Sequence, residues 1–125
     1  MITASLKNYR QSPRKVRLVA DFVRGKRVAQ ALTTLSFLSK DAARPIKSVI
    51  ESAVSNAKNN NQADTSTLVI KEIRVDEGIV LKRRMPRARG SAYPYKKRTS
   101  HIKVVLESAP EKIAKVKKAK AVAAK

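Results

Sequence analysis

Residues 79–103 constrain this chain more than any other stretch, because they carry nine Lys or Arg and no acidic side chain. Like charges at that density raise the free energy of any compact arrangement in water. Beyond Leu81 the segment also lacks apolar alternation, so its outer part has nothing to pack on a protein core. Its only turn signal is Pro86-Arg87-Ala88-Arg89-Gly90-Ser91. The flanking runs, Ile79 to Met85 and Lys96 to Leu106, read as two long strands facing each other. A β-hairpin over about 79–103 would have arms of about ten residues and, at ~3.3 Å per residue, would reach roughly 30 Å. Such a two-stranded ribbon is marginal in water, and a floppy surface loop is the bland alternative. A structureless stretch of this length is uncommon in a compact domain and usually functional. The segment is expected to be a basic arm that penetrates folded nucleic acid and becomes ordered there.

The rest of the charge supports a polyanionic partner. The 125 residues hold 29 Lys+Arg against 9 Asp+Glu, a formal net charge of +20. Residues 1–27 hold eight basic and one acidic, whereas residues 28–78 hold six of each. A phosphate backbone would relieve the repulsion and release its condensed counterions on contact. Membrane-surface binding would need a basic helix with a strong apolar face and anchoring aromatics, whereas this segment contains prolines and a glycine and the chain has no Trp. With no cysteine, neither a disulfide framework nor a thiolate metal site can form. The single histidine, His101, cannot build a His-cluster zinc site. No apolar run approaches the roughly 18–20 residues of a membrane span, and Met1 to Ser5 lacks the apolar stretch of a signal peptide. A soluble intracellular protein with no cofactor and no metal is expected.

Periodicity gives the remaining elements. Ile2, Ala4 and Leu6 alternate as a short strand. Ser12-Pro13 opens a helix over roughly 13–23, with Ser12 as cap and Pro13 in the first turn. Its apolar stripe is Val16, Val19, Ala20 and Val23; Gly25 stops it, and Arg14, Arg17 and Arg24 lie on the other face with Lys15 beside them. Val28 to Phe37 predicts a second helix, with Val28, Ala31, Leu32, Leu35 and Phe37 as core residues. A third helix, capped by Ser39, runs from about Asp41 to Asn59 along the stripe Ala42, Ile46, Val49, Ile50, Ala53, Val54 and Ala57. The period changes to two at Thr67, and Leu68, Ile70, Ile73 and Val75 form a strand with a register irregularity at Lys71-Glu72. Asp76-Glu77-Gly78 is expected to interrupt it, while Ile102, Val104 and Leu106 join the core sheet. The fold class is α+β: a small antiparallel three-stranded sheet packed with three helices, plus a long protruding β-hairpin. Residues 1–108 are read as one domain and residues 109–125, rich in Ala and Lys, as a disordered or frayed tail.

The aromatics narrow the kind of binding. Of Tyr9, Phe22, Phe37, Tyr93 and Tyr95, the two phenylalanines fall in helices and are expected in the core. The patterned surface aromatics of a base-stacking sheet platform are absent. Tyr93-Pro94-Tyr95 could stack along RNA or simply pack the ribbon's two arms, and Pro94 suggests a bulge. Phosphate contact and shape recognition are therefore the expected modes. Catalysis has little support. The three glycines form no phosphate loop, Asp76 and Glu77 lie at a turn, and His101 has no carboxylate to orient it. No enzyme activity is expected.

Several blocks together resemble a known family. They are Ser12-Pro13-Arg14-Lys15-Val16-Arg17-Leu18-Val19-Ala20-Asp21 with Arg24-Gly25-Lys26; Val75-Asp76-Glu77-Gly78 with Leu81-Lys82-Arg83; Met85-Pro86-Arg87-Ala88-Arg89-Gly90; and Lys97-Arg98-Thr99-Ser100-His101-Ile102. Over about residues 2–107 their order and spacing are similar to bacterial-type large-subunit ribosomal protein number twenty-two. The resemblance implies a globular domain on the exterior of the large subunit and a hairpin running through large-subunit rRNA to the wall of the nascent-peptide exit tunnel. It implies rRNA contacts from Arg14, Lys15, Arg17, Arg24, Lys26, Lys82, Arg83, Arg84, Lys97, Arg98 and His101, and a tunnel-facing tip of Arg87, Ala88, Arg89, Gly90 and Ser91. The implied partners are large-subunit rRNA, neighbouring large-subunit proteins and the nascent peptide, in a cytoplasmic or organellar ribosome. The family commonly has a more charged stretch where this chain has Ser91 to Tyr95, and the tail beyond Pro110 lies outside the shared pattern. The rival reading is a basic DNA-architectural protein whose arm enters a minor groove.

Overall fold

The computed structural model describes residues 2–108; the expectation for the Ala/Lys tail lies outside the described residues. The chain runs β1 (Ile2–Tyr9), α1 (Pro13–Val23), α2 (Val28–Phe37), α3 (Ala43–Asn61), β2 (Leu68–Pro86) and β3 (Ala92–Ser108), with single 3-10 turns at Thr65–Thr67 and Ala88–Gly90. The three strands form one antiparallel sheet in the order β1-β3-β2. Inward-facing Ile70, Ile73, Ile102, Val104 and Leu106 meet Val16, Val23, Ile46 and Ile50 in one apolar cluster. The α3 stripe lies over β1 and β3, and buried Ala42, Ala43, Ala53 and Ala57 let that helix approach closely.

Register explains why a ribbon projects. β1 pairs with β3 from Ile2↔Leu106 to Tyr9↔Ser100 and goes no further. β2 and β3 stay paired from Leu68↔Ser108 out to Pro86↔Ala92. Past Ser100 the sheet therefore narrows to two strands, and from Val80 to Pro86 it extends about 20 Å. Residues 81–98 are all exposed. The register shift between Ile70 and Glu72 falls where the sequence places an irregularity. At Asp76-Glu77-Gly78 the predicted interruption is instead a second shift, between Glu77 and Val80, inside one continuous strand. A bulge lets the ladder absorb the extra residue without ending. Gly78 is needed there for space: a Cβ would collide with Thr99 Oγ1 and press on the His101 ring.

Other local expectations are corrected. The Ser12 hydroxyl makes no cap bond; its carbonyl accepts from the N–H groups of Lys15 (3.0 Å) and Val16 (3.3 Å), so the backbone already satisfies those donors. Ser39 does not cap α3, which starts at Ala43 behind a turn closed by Ala43 N–H donating to Lys40 O at 2.8 Å. The far end runs past Asn59 to Asn61 and stops at Gln62, which takes the left-handed conformation with φ 48°. Phe22 and Phe37 are not core residues, being 52% and 85% exposed. The stripe from Val16 to Val23 fixes the inward face of α1, so Leu18 and Phe22, one turn apart, share the outer face. Phe37 ends α2 two positions after buried Leu35 and is turned away from the core. Pro94 sits in register opposite Arg84 without a bulge. In a two-stranded ribbon, alternate N–H groups point outward unpaired, and a proline at such a site removes no ladder bond.

The free edge of β2 is closed from α1. Arg17 Nε–H donates to Val75 O at 3.1 Å, and Arg24 Nη2–H donates to Ile73 O at 3.2 Å. Gly25 N–H donates to Ile70 O at 3.1 Å and Ile70 N–H returns a bond to Lys26 O at 3.0 Å. The sheet edge thus offers no template for a foreign strand along this stretch.

Candidate nucleic-acid interface

The candidate residues separate into two groups along α1. Arg14, Lys15 and Arg17 lie at its N-terminal end, beside the root of the ribbon. There, with Ser12, Pro13, Glu77 and Arg98, they line an open cleft of 480 Å³. An adjoining cleft of 720 Å³ brings Lys15 together with Arg83, Lys97 and Arg98, and adds Arg10 and Lys96. Arg10 and Lys96 were not singled out from sequence. Lys96 belongs to the run Lys96-Lys97-Arg98, and Arg10 stands in the short connection between β1 and α1, a place only the fold brings beside the ribbon. The first turn of α1 contains no acidic residue, so its exposed positive dipole end adds to the cations around it.

Arg24 and Lys26 occupy the opposite end, ten residues or more along the chain from Arg14, which is about 15 Å along the helix. They are partly engaged by the protein. Arg24 bridges Ile73 O and, through Nη1, the Asp21 carboxylate at 2.9 Å. Lys26 Nζ stands 4.4 Å from the centroid of the Phe22 ring. Arg17 likewise spends its Nε–H on Val75 O, which leaves the terminal nitrogens of its guanidinium for another partner.

His101 is braced at the bulged root. Its Nδ1 accepts from Asn8 N–H at 3.0 Å, which assigns the ring hydrogen to Nε2. Nε2 lies against Gly78. Asn8 itself holds a left-handed φ of 57° at the β1 register shift, so the imidazole ties the end of β1 to β3. Thr99 adds a bond from Oγ1–H to Ile79 O at 2.8 Å.

On the ribbon, Lys82, Arg83, Arg84, Lys97 and Arg98 are exposed. At the tip, Arg87 N–H donates to Ser91 O at 2.8 Å, and Ser91 N–H donates to Ala88 O at 3.3 Å. Arg89 (φ 58°) and Gly90 (φ 71°) reverse the chain in the left-handed region. The side chains of Arg87, Ala88, Arg89 and Ser91 are all exposed.

Three acidic groups lie beside candidate residues: Glu77 in the cleft, Asp21 bonded to Arg24 and Asp76 opposite His101 in the ladder. Arg74 donates to Glu72 Oε1 at 2.7 Å, and this bond, with the charge of Arg74, holds the Glu72 carboxyl below the usual carboxylate range. The Tyr9 phenol is pushed above its ordinary value, first by burial and then by the Asp41 carboxylate. Among the described residues no group of three His, Cys, Asp or Glu could hold a metal ion. No helix there is long and apolar enough to cross a membrane.

The pattern of the family described as Ribosomal protein L22p/L17e matches residues 4–107. The large ribosomal subunit protein uL22 of Desulfitobacterium hafniense (strain Y51) is 55% identical over 97 residues, covering 78% of this chain and 85% of the relative. That of Bdellovibrio bacteriovorus is 53% identical over 106 residues, covering 85% of this chain and 96% of the relative. A match across nearly the whole described fold, with ribosomal relatives at this identity, establishes that the chain belongs to the ribosomal protein L22p/L17e family, whose members are structural constituents of the large ribosomal subunit and not enzymes.

Proposed function

We propose that this chain binds large-subunit rRNA through Arg14, Lys15 and Arg17 on α1 and the cations of the β2–β3 ribbon, and that the ribbon tip, Arg87 to Ser91, forms part of the wall of the nascent-peptide exit tunnel. The observation that carries the reading is the ribbon itself: residues 81–98 are exposed without exception and contain eight Lys or Arg and no acidic side chain. Among the described residues nothing covers this arm, and folded RNA supplies both the negative charge and a shaped channel. Arg10 and Lys96 extend the same track at the root. Arg24, Lys26 and His101 contribute from positions already braced by protein contacts, so their share is smaller. The rim of the interface meets neighbouring large-subunit proteins, and the tip meets the nascent peptide.

Competition binding tests the first part. Purified full-length chain should prefer transcribed large-subunit rRNA to duplex DNA of equal nucleotide content at 150 mM salt, and a preference for the duplex would defeat the reading. For the tip, Arg87→Ala combined with Arg89→Ala should enter large subunits at near wild-type levels yet change nascent-chain stalling or sensitivity to tunnel-binding drugs. Loss of soluble folded protein in that double variant would contradict a tip that faces RNA and solvent.

A further inference from the structure

We propose that the two faces of the ribbon recognise different parts of the same RNA: one face holds phosphates, while the other, through Tyr93 and Tyr95, receives unpaired nucleobases by stacking. The inference rests on the RNA-binding reading and adds a residue-level division of labour to it.

The register creates the division. Residues directly opposed in an antiparallel pair share a face, and faces alternate along each strand. Leu81↔Lys97, Arg83↔Tyr95 and Met85↔Tyr93 therefore lie on one face. Val80↔Arg98, Lys82↔Lys96, Arg84↔Pro94 and Pro86↔Ala92 lie on the other. The second face carries four cations and no aromatic ring. Lys82 and Lys96 stand directly opposite each other, a like-charge pair that destabilises the ribbon until an anion lies between them. Arg98 carries this face to the cleft with Arg14, Lys15 and Arg17, while at the root Arg83 and Lys97 of the other face reach the adjoining cleft with Arg10 and Lys15, so the division of faces applies to the outer ribbon.

The first face has a different chemistry. It presents Tyr93 (62% exposed), Met85 (47%), Leu81 (38%) and Tyr95 (37%), with Arg83 and Lys97 among them. The one cation–π pair among the described residues is Lys26 with Phe22, so no cation among those residues covers the Tyr93 and Tyr95 rings. Two same-face residues on one strand stand about 7 Å apart, enough for one planar ring to enter between them. Pro94 lies between the two tyrosines on the opposite face, and its fixed φ stiffens the backbone that spaces them. A partner here must offer flat apolar surface and negative charge together, because Arg83, Lys97 and the tip arginines surround the rings. Unstacked nucleotides meet both requirements. A second protein would have to present an apolar patch ringed with carboxylates.

The test uses the full-length chain in a Tyr9→Phe background. With no Trp in the sequence, fluorescence then reports Tyr93 and Tyr95 alone. Transcribed large-subunit rRNA should quench this emission, whereas inorganic polyphosphate should bind without quenching it. Tyr93→Ala with Tyr95→Ala should weaken rRNA binding about 10-fold or more, with the salt slope and polyphosphate affinity unchanged. Tyr→Phe at both positions should restore binding, and Tyr→Leu should not. Lys82→Ala with Lys96→Ala should weaken both ligands and flatten the salt slope by about 1 to 2. The proposal is overturned if the double Tyr→Ala variant binds rRNA like wild type, if polyphosphate quenches as strongly as rRNA, or if that variant keeps rRNA affinity and fails only to join other large-subunit proteins. Failure of the parent chain to prefer rRNA over duplex DNA would instead defeat the RNA reading itself.

Discussion

Gly78 shows how much one missing side chain decides at the root of the ribbon. Its Cα hydrogen occupies the space beside Thr99 Oγ1 and the His101 imidazole, both of which are already bonded, to Ile79 O and Asn8 N–H. Gly78→Ala would force Thr99 to rotate away from its carbonyl or push the histidine off Asn8. Overpacking of this kind costs about 1–3 kcal/mol, so a clear fall in thermal midpoint is expected, measurable by circular dichroism on the purified chain. A midpoint equal to wild type would mean that the bulge relaxes freely. Sequence patterning gives Gly78 as punctuation only. Its role depends on the approach of Thr99 and His101 on β3, more than twenty residues further along the chain, which no local window contains. Phe22 and Phe37 mislead for the same reason in reverse: helical and apolar, they look like core until the packing direction of each helix is known.

At the scale of elements, the helices and strands were largely legible because their periods are clean. The stripes of α1, α2 and α3 and the alternation of Ile102, Val104 and Leu106 match the buried set closely. The division of ribbon residues into two faces was not legible, since it depends on the pairing offset fixed by the shift between Glu77 and Val80. Among the described residues that ribbon has no third strand beyond Ser100 and no apolar cover from 81 to 98. Two-stranded pairing alone is marginal in water, and opposed lysines weaken it further. Hydrogen exchange on the free chain should therefore show fast exchange at Lys82 to Met85 and Lys96 to Arg98, and slow exchange at Ile70, Ile73, Ile102 and Val104. Adding rRNA should slow the first group by an order of magnitude or more. Equal protection of both groups in the free chain would refute an arm ordered by its partner.

For the molecule as a whole, charge and fold are arranged separately. The neutral stretch 28–78 supplies α2, α3 and the first part of β2, including most of the apolar cluster, while the cationic stretches form α1, its flanking turns and the ribbon. Candidate cations were legible as charge runs, yet composition could not tell that Arg17 and Arg24 also close the edge of β2, or that Arg10 joins the ribbon's root. Blocks spaced along residues 12–102 carried the family resemblance, and the family match over residues 4–107 bears it out.

The reversal at the tip is held by two main-chain bonds between positions 87, 88 and 91 and by the positive φ at Arg89 and Gly90. Side chains at 87, 88 and 91 have no part in closing it. Their identities are thus uncoupled from folding, and selection can retune whatever touches that extremity, by charge or by bulk, without endangering the loop that presents it.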